Sequence, residues 1–230
     1  MRKHIPNMIT CCNLISGCIA THFAFQGFYP AALVAIIAGA VFDFFDGFSA
    51  RLLGVSSPIG KELDSLADVV TFGFAPSAML FTLLGSQLPF PLPYLAFLMA
   101  AFSALRLAKF NLDERQAMGF IGLPTPANAL FWGALIVELG MWLMTEPYAL
   151  PPYVGYVLVA LMLLSCWLLV AEIPMFALKF KTWDWHSNEV KYVFLAVSLA
   201  IIVTLRSPAA LSVVIAWYVV LSLITNRKKC

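Results

Sequence analysis

AALVAIIAGAVFDFFDGFSARLLGVSSPIGKELDSLADVVTFGFAPSAMLFTLL, residues 31–84, decides the fold. It holds two long apolar runs, each on the scale of the ~20 residues that cross a bilayer as a helix. A short turn at Gly54-Val55-Ser56-Ser57-Pro58 joins them, so the two helices are antiparallel neighbours. Four aspartates interrupt the apolar pattern: Asp43 and Asp46 in the first run, Asp64 and Asp68 in the second. Helical positions i, i+3 and i+7 share a face. Asp43, Asp46 and Ala50 therefore lie together, with Arg51 beside them. Gly60, Asp64 and Asp68, spaced i, i+4, i+8, form a matching face, and the two acidic faces meet.

The rest of the chain agrees with a membrane setting. Of its 230 residues 62% are hydrophobic and 11% charged, against roughly 45–50% and about 25% in soluble domains. Nineteen Phe and six Trp exceed what one small core can hide. Disorder is excluded, because disordered chains are poor in apolar residues and rich in charge. A net charge of +2 excludes a basic nucleic-acid-binding surface. The composition predicts an all-α, polytopic integral membrane protein with about eight transmembrane helices. Their approximate ranges are 7–25, 31–53, 59–84, 92–110, 126–144, 153–171, 191–205 and 209–225, the seventh being the shortest. Separators carry turn residues, such as Leu88-Pro89-Phe90-Pro91-Leu92-Pro93 and Tyr148-Ala149-Leu150-Pro151-Pro152. The longest polar connection, Lys179 to Glu189, is too short to fold alone. Cys11, Cys12, Cys18, Cys166 and Cys230 form no C-x-x-C pair and read as small buried apolar residues.

Charge placement tests the count. With the N-terminus in the cytoplasm, the inner side receives Arg2, Lys3, Arg51, Lys61, Arg106, Lys109, Arg115, Lys179, Lys181, Lys191, Arg227, Lys228 and Lys229, and the outer side only Arg206. This obeys the positive-inside rule; seven spans would put the basic C-terminus outside. Both termini are thus expected on the cytoplasmic side. The basic N-terminus resembles the start of a signal peptide, but Asn13 and Ser16 interrupt its apolar run and no small-x-small site follows. It is read as the first membrane helix.

Four intramembrane carboxylates need a reason. Each costs about 2.5–3.5 kcal/mol to insert near a helix centre, and mutual repulsion adds to this. Arg51 supplies one positive charge. Divalent cations are the natural complement, since Mg²⁺ and Mn²⁺ prefer oxygen ligands. Two such ions about 4 Å apart, clamped by carboxylates, serve in-line phosphoryl displacement. Gly47 and Gly60 remove side chains beside the acidic centre, as expected where a ligand approaches the backbone. The competing class is an ion or metal transporter, which also uses intramembrane carboxylates. It is disfavoured because the outer loops carry only Glu146 as an acid.

Asp43-Phe-Phe-Asp46-Gly47-Phe-Ser-Ala50-Arg51, eight residues, then Gly60-Lys-Glu-Leu-Asp64-Ser-Leu-Ala-Asp68 is similar at every fixed position to the signature of the CDP-alcohol phosphatidyltransferase family, D-x2-D-G-x2-A-R-x8-G-x3-D-x3-D. The resemblance implies a six-helix membrane core, here about residues 5–172, with extra C-terminal helices at about 190–226. All of residues 1–230 would form a single transmembrane catalytic domain, commonly in a homodimer. It implies that Asp43, Asp46, Asp64 and Asp68 hold two divalent ions, Mg²⁺ or Mn²⁺, and that Asp68 is also the catalytic base. Gly47, Ala50, Arg51 and Gly60 would line the CDP-lipid. Pro6-Asn7-Met-Ile-Thr10-Cys-Cys-Asn13-Leu14-Ile-Ser-Gly17 resembles the family's P-N-x2-T-x2-N-L-x2-G opening, so Asn7, Thr10 and Asn13 are placed with the CDP-lipid or in support of the metal site. The other reading of these three is polar glue between helices.

Two further segments, Leu105-Arg106-Leu-Ala-Lys109-Phe-Asn111 and Gly122-Leu-Pro124-Thr-Pro126-Ala-Asn-Ala129, resemble the phosphatidylserine synthase branch. The resemblance implies transfer of a phosphatidyl group from CDP-diacylglycerol to the hydroxyl of L-serine, with release of CMP, as a step of phospholipid biosynthesis. Arg106 and Lys109, one turn apart, and Arg115 are candidates for the acceptor or a phosphate, or else snorkel to headgroups. Other acceptors are glycerol 3-phosphate, an inositol phosphate or another alcohol; the phosphate-bearing ones would call for more Arg and Lys. Glu138 and Glu172 are candidates to face the cavity, with Glu172 favoured at the interface. Membrane lipids are partners and nucleic acid is not. The compact chain points to a prokaryotic cytoplasmic membrane with the active site on its inner side.

Overall fold

The computed structural model describes residues 4–55, 57–113, 120–145, 151, 153–176 and 184–227. The chain is helical and crosses back and forth. Helices α1 (Ile5–Phe25) and α2 (Tyr29–Leu53) form a tight hairpin. Pro6 and Pro30 sit in their first turns, where the missing N–H costs nothing. Gly54 ends α2 in the left-handed region at φ 61°, its N–H returning to the last turn. Ser57 then caps α3 (Pro58–Asp68) by accepting from Gly60 N–H at 3.0 Å.

The third span departs from a regular helix. After α3 the backbone widens into a π-helical stretch, Val69–Phe74, before resuming as α4 (Ala75–Gly85). Pro76 supplies a reason: it has no N–H to give to the carbonyl of Phe72. The Ser77 hydroxyl donates to Gly73 O at 2.7 Å in the same turn. Thr71, fully buried in the widened stretch, wedges against both α1 and α2. A Cβ on Gly17 would stand 2.8 Å from Thr71 Cα, and one on Gly39 would stand 2.5 Å from Thr71 Cγ2. The two glycines therefore let the third span dock.

A 3-10 turn at Leu92–Phe97 leads into α5 (Leu98–Leu112). Short strands β1 (Phe120–Ile121) and β2 (Pro174–Met175) pair antiparallel and bracket the hairpin of α6 (Thr125–Thr145) and α7 (Tyr153–Val170). Helices α8 (Trp185–Leu205) and α9 (Ala209–Arg227) close the chain. The core lies between α1, α2, α4, α5, α6 and α7, with Trp132, Phe72, Ile36, Met79 and Met99 fully covered. Trp132 Nε1–H donates to Ser165 Oγ at 3.0 Å, so even this indole is satisfied. Phe44, Phe48, Leu52 and other large apolar side chains face outward, the usual arrangement for a surface solvated by lipid.

Among the described residues seven helices are long and apolar enough to span a membrane, and the all-α polytopic expectation holds. The short one is not the seventh. Asn188–Leu205 gives that span 18 residues, and a turn from Trp185 precedes it across a kink at Asn188, where φ is −129°. Asp184 precedes it in extended conformation and accepts from Asn188 Nδ2 at its carbonyl, 2.9 Å. The last helix is the shorter one, apolar over Ala209–Thr225. The cysteine expectation fails in part: Cys166 is buried, but Cys11, Cys12 and Cys18 are exposed. They occupy the outward side of α1, where a thiol suits lipid as well as it suits a core. Cys230 lies outside the described residues.

Candidate active site

Helix α1 packs along both α2 and the third span, and in this arrangement the aspartates of α2 and α3 come together. Asp43, Asp64 and Asp68 each offer a carboxylate oxygen within 4.8 Å of the others. Asp64 Oδ1 is buried with no hydrogen-bond partner among the described residues. A bare buried carboxylate oxygen is costly unless a cation meets it, so the donor set fits a hard divalent ion. Asp46 stands within electrostatic reach of the other three.

Helix α1 supplies the donors that orient two of these acids. Thr10 Oγ1 stands 2.6 Å from Asp46 Oδ2 and 3.0 Å from the Pro6 carbonyl, both positioned to accept its proton. Asn13 Nδ2 donates to Asp68 Oδ1 at 3.1 Å. Thr71 donates to Asn13 O at 3.0 Å, so the widened stretch of the third span holds the residue that holds Asp68. Thr10 and Asn13 are almost wholly buried.

A cavity of about 640 Å³ opens beside the acids, between α1, α2 and α3. Asn7, Thr10, Asp46, Gly47, Ala50, Gly60 and Asp64 all line it, together with Lys61. Asn13, Asp43 and Asp68 are not part of its wall; they lie with the acidic centre. A Cβ on Gly47 would meet nothing nearer than Arg51 Nη1 at 3.7 Å. Packing alone therefore tolerates a side chain there, and the open space belongs to the cavity. Gly60 is tighter, with Ser57 Oγ at 3.0 Å and Asn7 Oδ1 at 3.1 Å from its would-be Cβ. Arg51 is exposed at the end of α2, folded back near Gly47.

Arg106 and Lys109 line a different cavity, of about 400 Å³, with Asp113, Ile121, Leu169 and Glu172. Arg106 nevertheless lies within electrostatic reach of Asp68. Its guanidinium stacks over the Phe110 ring at 5.0 Å, and its Nε has no hydrogen-bond partner among the described residues. A seam between α3 and α5 borders this region: Lys61 Nζ donates to Asn111 O at 2.8 Å and Asn111 Nδ2 to Ser65 Oγ at 2.7 Å. Arg115 lies outside the described residues. Glu172 faces this second cavity. Glu138 lies instead at the opposite end of the bundle, where Oε2 accepts from Ala209 N–H at 3.4 Å and caps α9.

Sequence reasoning missed three buried polar side chains. Ser103, Thr125 and Asn128 are fully covered, and their Oγ, Oγ1 and amide atoms have no hydrogen-bond partner among the described residues. Ser103 packs on Gly73 of the widened stretch, whose would-be Cβ stands 3.1 Å from Ser103 Cβ. Thr125 and Asn128 belong to the Gly122–Ala129 segment, whose prolines drew attention away from them. Their i, i+3 spacing at the start of α6 was the available signal.

The comparisons with known proteins agree with this geometry. In Bacillus subtilis, a CDP-diacylglycerol–serine O-phosphatidyltransferase is 42% identical over 124 residues, 54% of this chain and 70% of that one. A Methanocaldococcus jannaschii protein of the same name is 32% identical over 187 residues, 76% of this chain and 87% of its own. A Mycobacterium leprae protein, again of that name, is 36% identical over 154 residues, and the chain spans about half of its length (51%). A family model described as CDP-alcohol phosphatidyltransferase matches residues 3–178. That match runs through every element that builds the acidic centre, from α1 to β2, and the chain belongs to the CDP-alcohol phosphatidyltransferase family of membrane enzymes.

Proposed function

We propose that this protein transfers the phosphatidyl group of CDP-diacylglycerol to the hydroxyl of L-serine, forming phosphatidylserine and CMP. The observation that carries this reading is the convergence of Asp43, Asp64 and Asp68 beside a cavity lined by most of the remaining signature residues. Serine as acceptor is supported by the names of the relatives in Bacillus, Methanocaldococcus and Mycobacterium.

Asp43, Asp46, Asp64 and Asp68 would hold two divalent ions, Mg²⁺ or Mn²⁺. When bound, they offset the charge of the donor's diphosphate and of departing CMP. The first cavity takes the cytidine diphosphate, with Asn7, Gly47, Ala50 and Gly60 along its wall and Arg51 at the phosphates, where its donor fork suits their oxygens. Asp68 accepts the proton of the serine hydroxyl, and Asn13 fixes which carboxylate oxygen is free to do so. The serine oxygen forms its bond to the lipid-bearing phosphorus as the bond from that phosphorus to CMP breaks. Serine enters from the second cavity, where Arg106 and Lys109 meet its carboxylate. In-line displacement needs nucleophile and leaving group on opposite sides of the phosphorus, and separate cavities for donor and acceptor suit that need.

The site lies at the end of the bundle that gathers Arg51, Lys61 and Lys109, which supports an inner-face active site in a prokaryotic cytoplasmic membrane. A homodimer is part of the same reading. The test is CMP release by purified protein given CDP-diacylglycerol, Mg²⁺ or Mn²⁺, and either serine, glycerol 3-phosphate, inositol phosphate or no acceptor. Release that requires both serine and metal is expected. Release only with another acceptor would replace serine while keeping the metal site; metal-independent release would remove the metal site.

A further inference from the structure

We propose that Lys61 is a binding residue for the donor's diphosphate and that Asn111 positions it. This rests on the reading of the first cavity as the place of the cytidine diphosphate. Lys61 falls between Gly60 and Asp64, at a position the signature leaves open, so the signature gives it no role.

Three observations carry it. First, the wall of the first cavity holds two acids, Asp46 and Asp64, and among the described residues of that wall Lys61 alone is cationic. Metal ions answer the acids. The diphosphate oxygens turned away from the metals still need donors, and an ammonium brings three N–H groups to them.

Second, Lys61 stands at the unfavourable end of its own helix. Its N–H makes the opening backbone hydrogen bond of α3, to Ser57 O at 3.2 Å, and α3 has no acid in its first turn. The helix dipole disfavours a cation there and favours an anion. The side chain reaches instead to the last turn of α5, where Nζ donates to Asn111 O at 2.8 Å. Carbonyls at that end of a helix lack partners within it. This partner is neutral, so the ammonium keeps its full charge for an anion, and only one of its N–H groups is used.

Third, the grip is braced. Asn111 Nδ2 donates to Ser65 Oγ at 2.7 Å, and Ser65 lies one turn beyond Lys61 on α3. Lys61, Asn111 and Ser65 thus close a loop of contacts between α3 and α5. The long lysine stem is ordered before the donor arrives, so binding costs it less rotamer freedom. Capping α5 explains one N–H; it does not explain why the same side chain forms part of the cavity wall.

The experiment uses the full chain in detergent with Mg²⁺. It measures Kd for CDP and for cytidine by titration calorimetry, and KM for CDP-diacylglycerol by CMP release. Lys61→Met is expected to raise the CDP Kd and the CDP-diacylglycerol KM about tenfold, with the cytidine Kd changed by less than about twofold. Lys61→Arg keeps the charge and should recover most of the loss. Asn111→Ala should raise the CDP Kd about threefold in the parent and add nothing in Lys61→Met, because the two act through one contact. An unchanged CDP Kd in Lys61→Met, or an equal loss for CDP and cytidine, overturns the proposal and leaves Lys61 as a cap of α5. An Asn111→Ala loss that persists in Lys61→Met overturns the positioning role. Gly47→Leu, which fills the first cavity, separates the two readings. If it leaves CDP and cytidine binding intact, the donor does not lie there and both readings fall; if it weakens both while Lys61→Met weakens neither, this proposal alone falls.

Discussion

At the scale of single residues, the site depends on neutral side chains that aim charged ones. Asp64 carries the bare oxygen, so Asp64→Asn removes a charge while nearly preserving shape. CMP release is expected to fall by about a thousandfold or more, with the protein still inserted and monodisperse in detergent; turnover within tenfold of the parent would show that Asp64 does not hold a metal. Thr10 offers a subtler test. Thr10→Val keeps the β-branch but strips Asp46 of its donor, and leaving a buried acceptor unmet costs about 1–3 kcal/mol. A drop of about tenfold or more in kcat/KM is expected, and Thr10→Ser should restore most of it. Equal losses in both variants would assign Thr10 to packing. The faces carrying Asp43, Asp46, Asp64 and Asp68 were legible from spacing. That Asn13 serves Asp68 was not, because a spacing rule relates residues along one helix and says nothing of what a second helix brings opposite.

At the scale of elements, the widened stretch of the third span decides how three helices meet. Gly17 and Gly39 look like ordinary small residues in membrane helices, yet both are vacated for Thr71. The two respond differently to repair. Gly39→Ala meets chiefly the Thr71 methyl, so it should lower Tm by about 2–10 °C, and adding Thr71→Ser should recover at least half of that. Gly17→Ala meets the Thr71 backbone as well, so the same second change should recover little. Equal rescue at both positions would contradict the described contacts; a double-mutant comparison reads this directly. Helix limits were legible because Gly54, Ser57 and Pro58 are strong punctuation. The π-helical turn was not, since Pro76 reads in the sequence as a break or a kink and its effect on the preceding turn depends on what the neighbouring helices accept.

At the scale of the whole molecule, hydropathy and charge carried most of the architecture. The span count follows from run lengths, and the end at which Arg51, Lys61 and Lys109 gather follows from how the helices alternate. The resulting orientation makes a prediction: a reporter active only in the cytoplasm should be active when fused after Cys230 and silent in the loop at Arg206, and the reverse pattern would invert the proposed topology. What hydropathy could not supply is the tie between distant parts. Nothing in the sequence of α9 marks Tyr218 as the donor to Phe176 O, because that carbonyl follows the strand pair and lies outside any periodic pattern.

The π-helical turn also sets a reading frame. A π turn carries about one residue more than the α-helix it interrupts, and one residue is roughly 100° of rotation. Excising a single residue between Val69 and Phe74 would leave every helix nearly intact in composition and length. It would also swing the face of α4 by more than a quarter turn relative to Asp64 and Asp68, and turn Thr71 away from its two glycines. Point substitutions in this stretch and a one-residue deletion are therefore different kinds of damage: the first wears down a contact, whereas the second puts half the protein out of phase with its own active site.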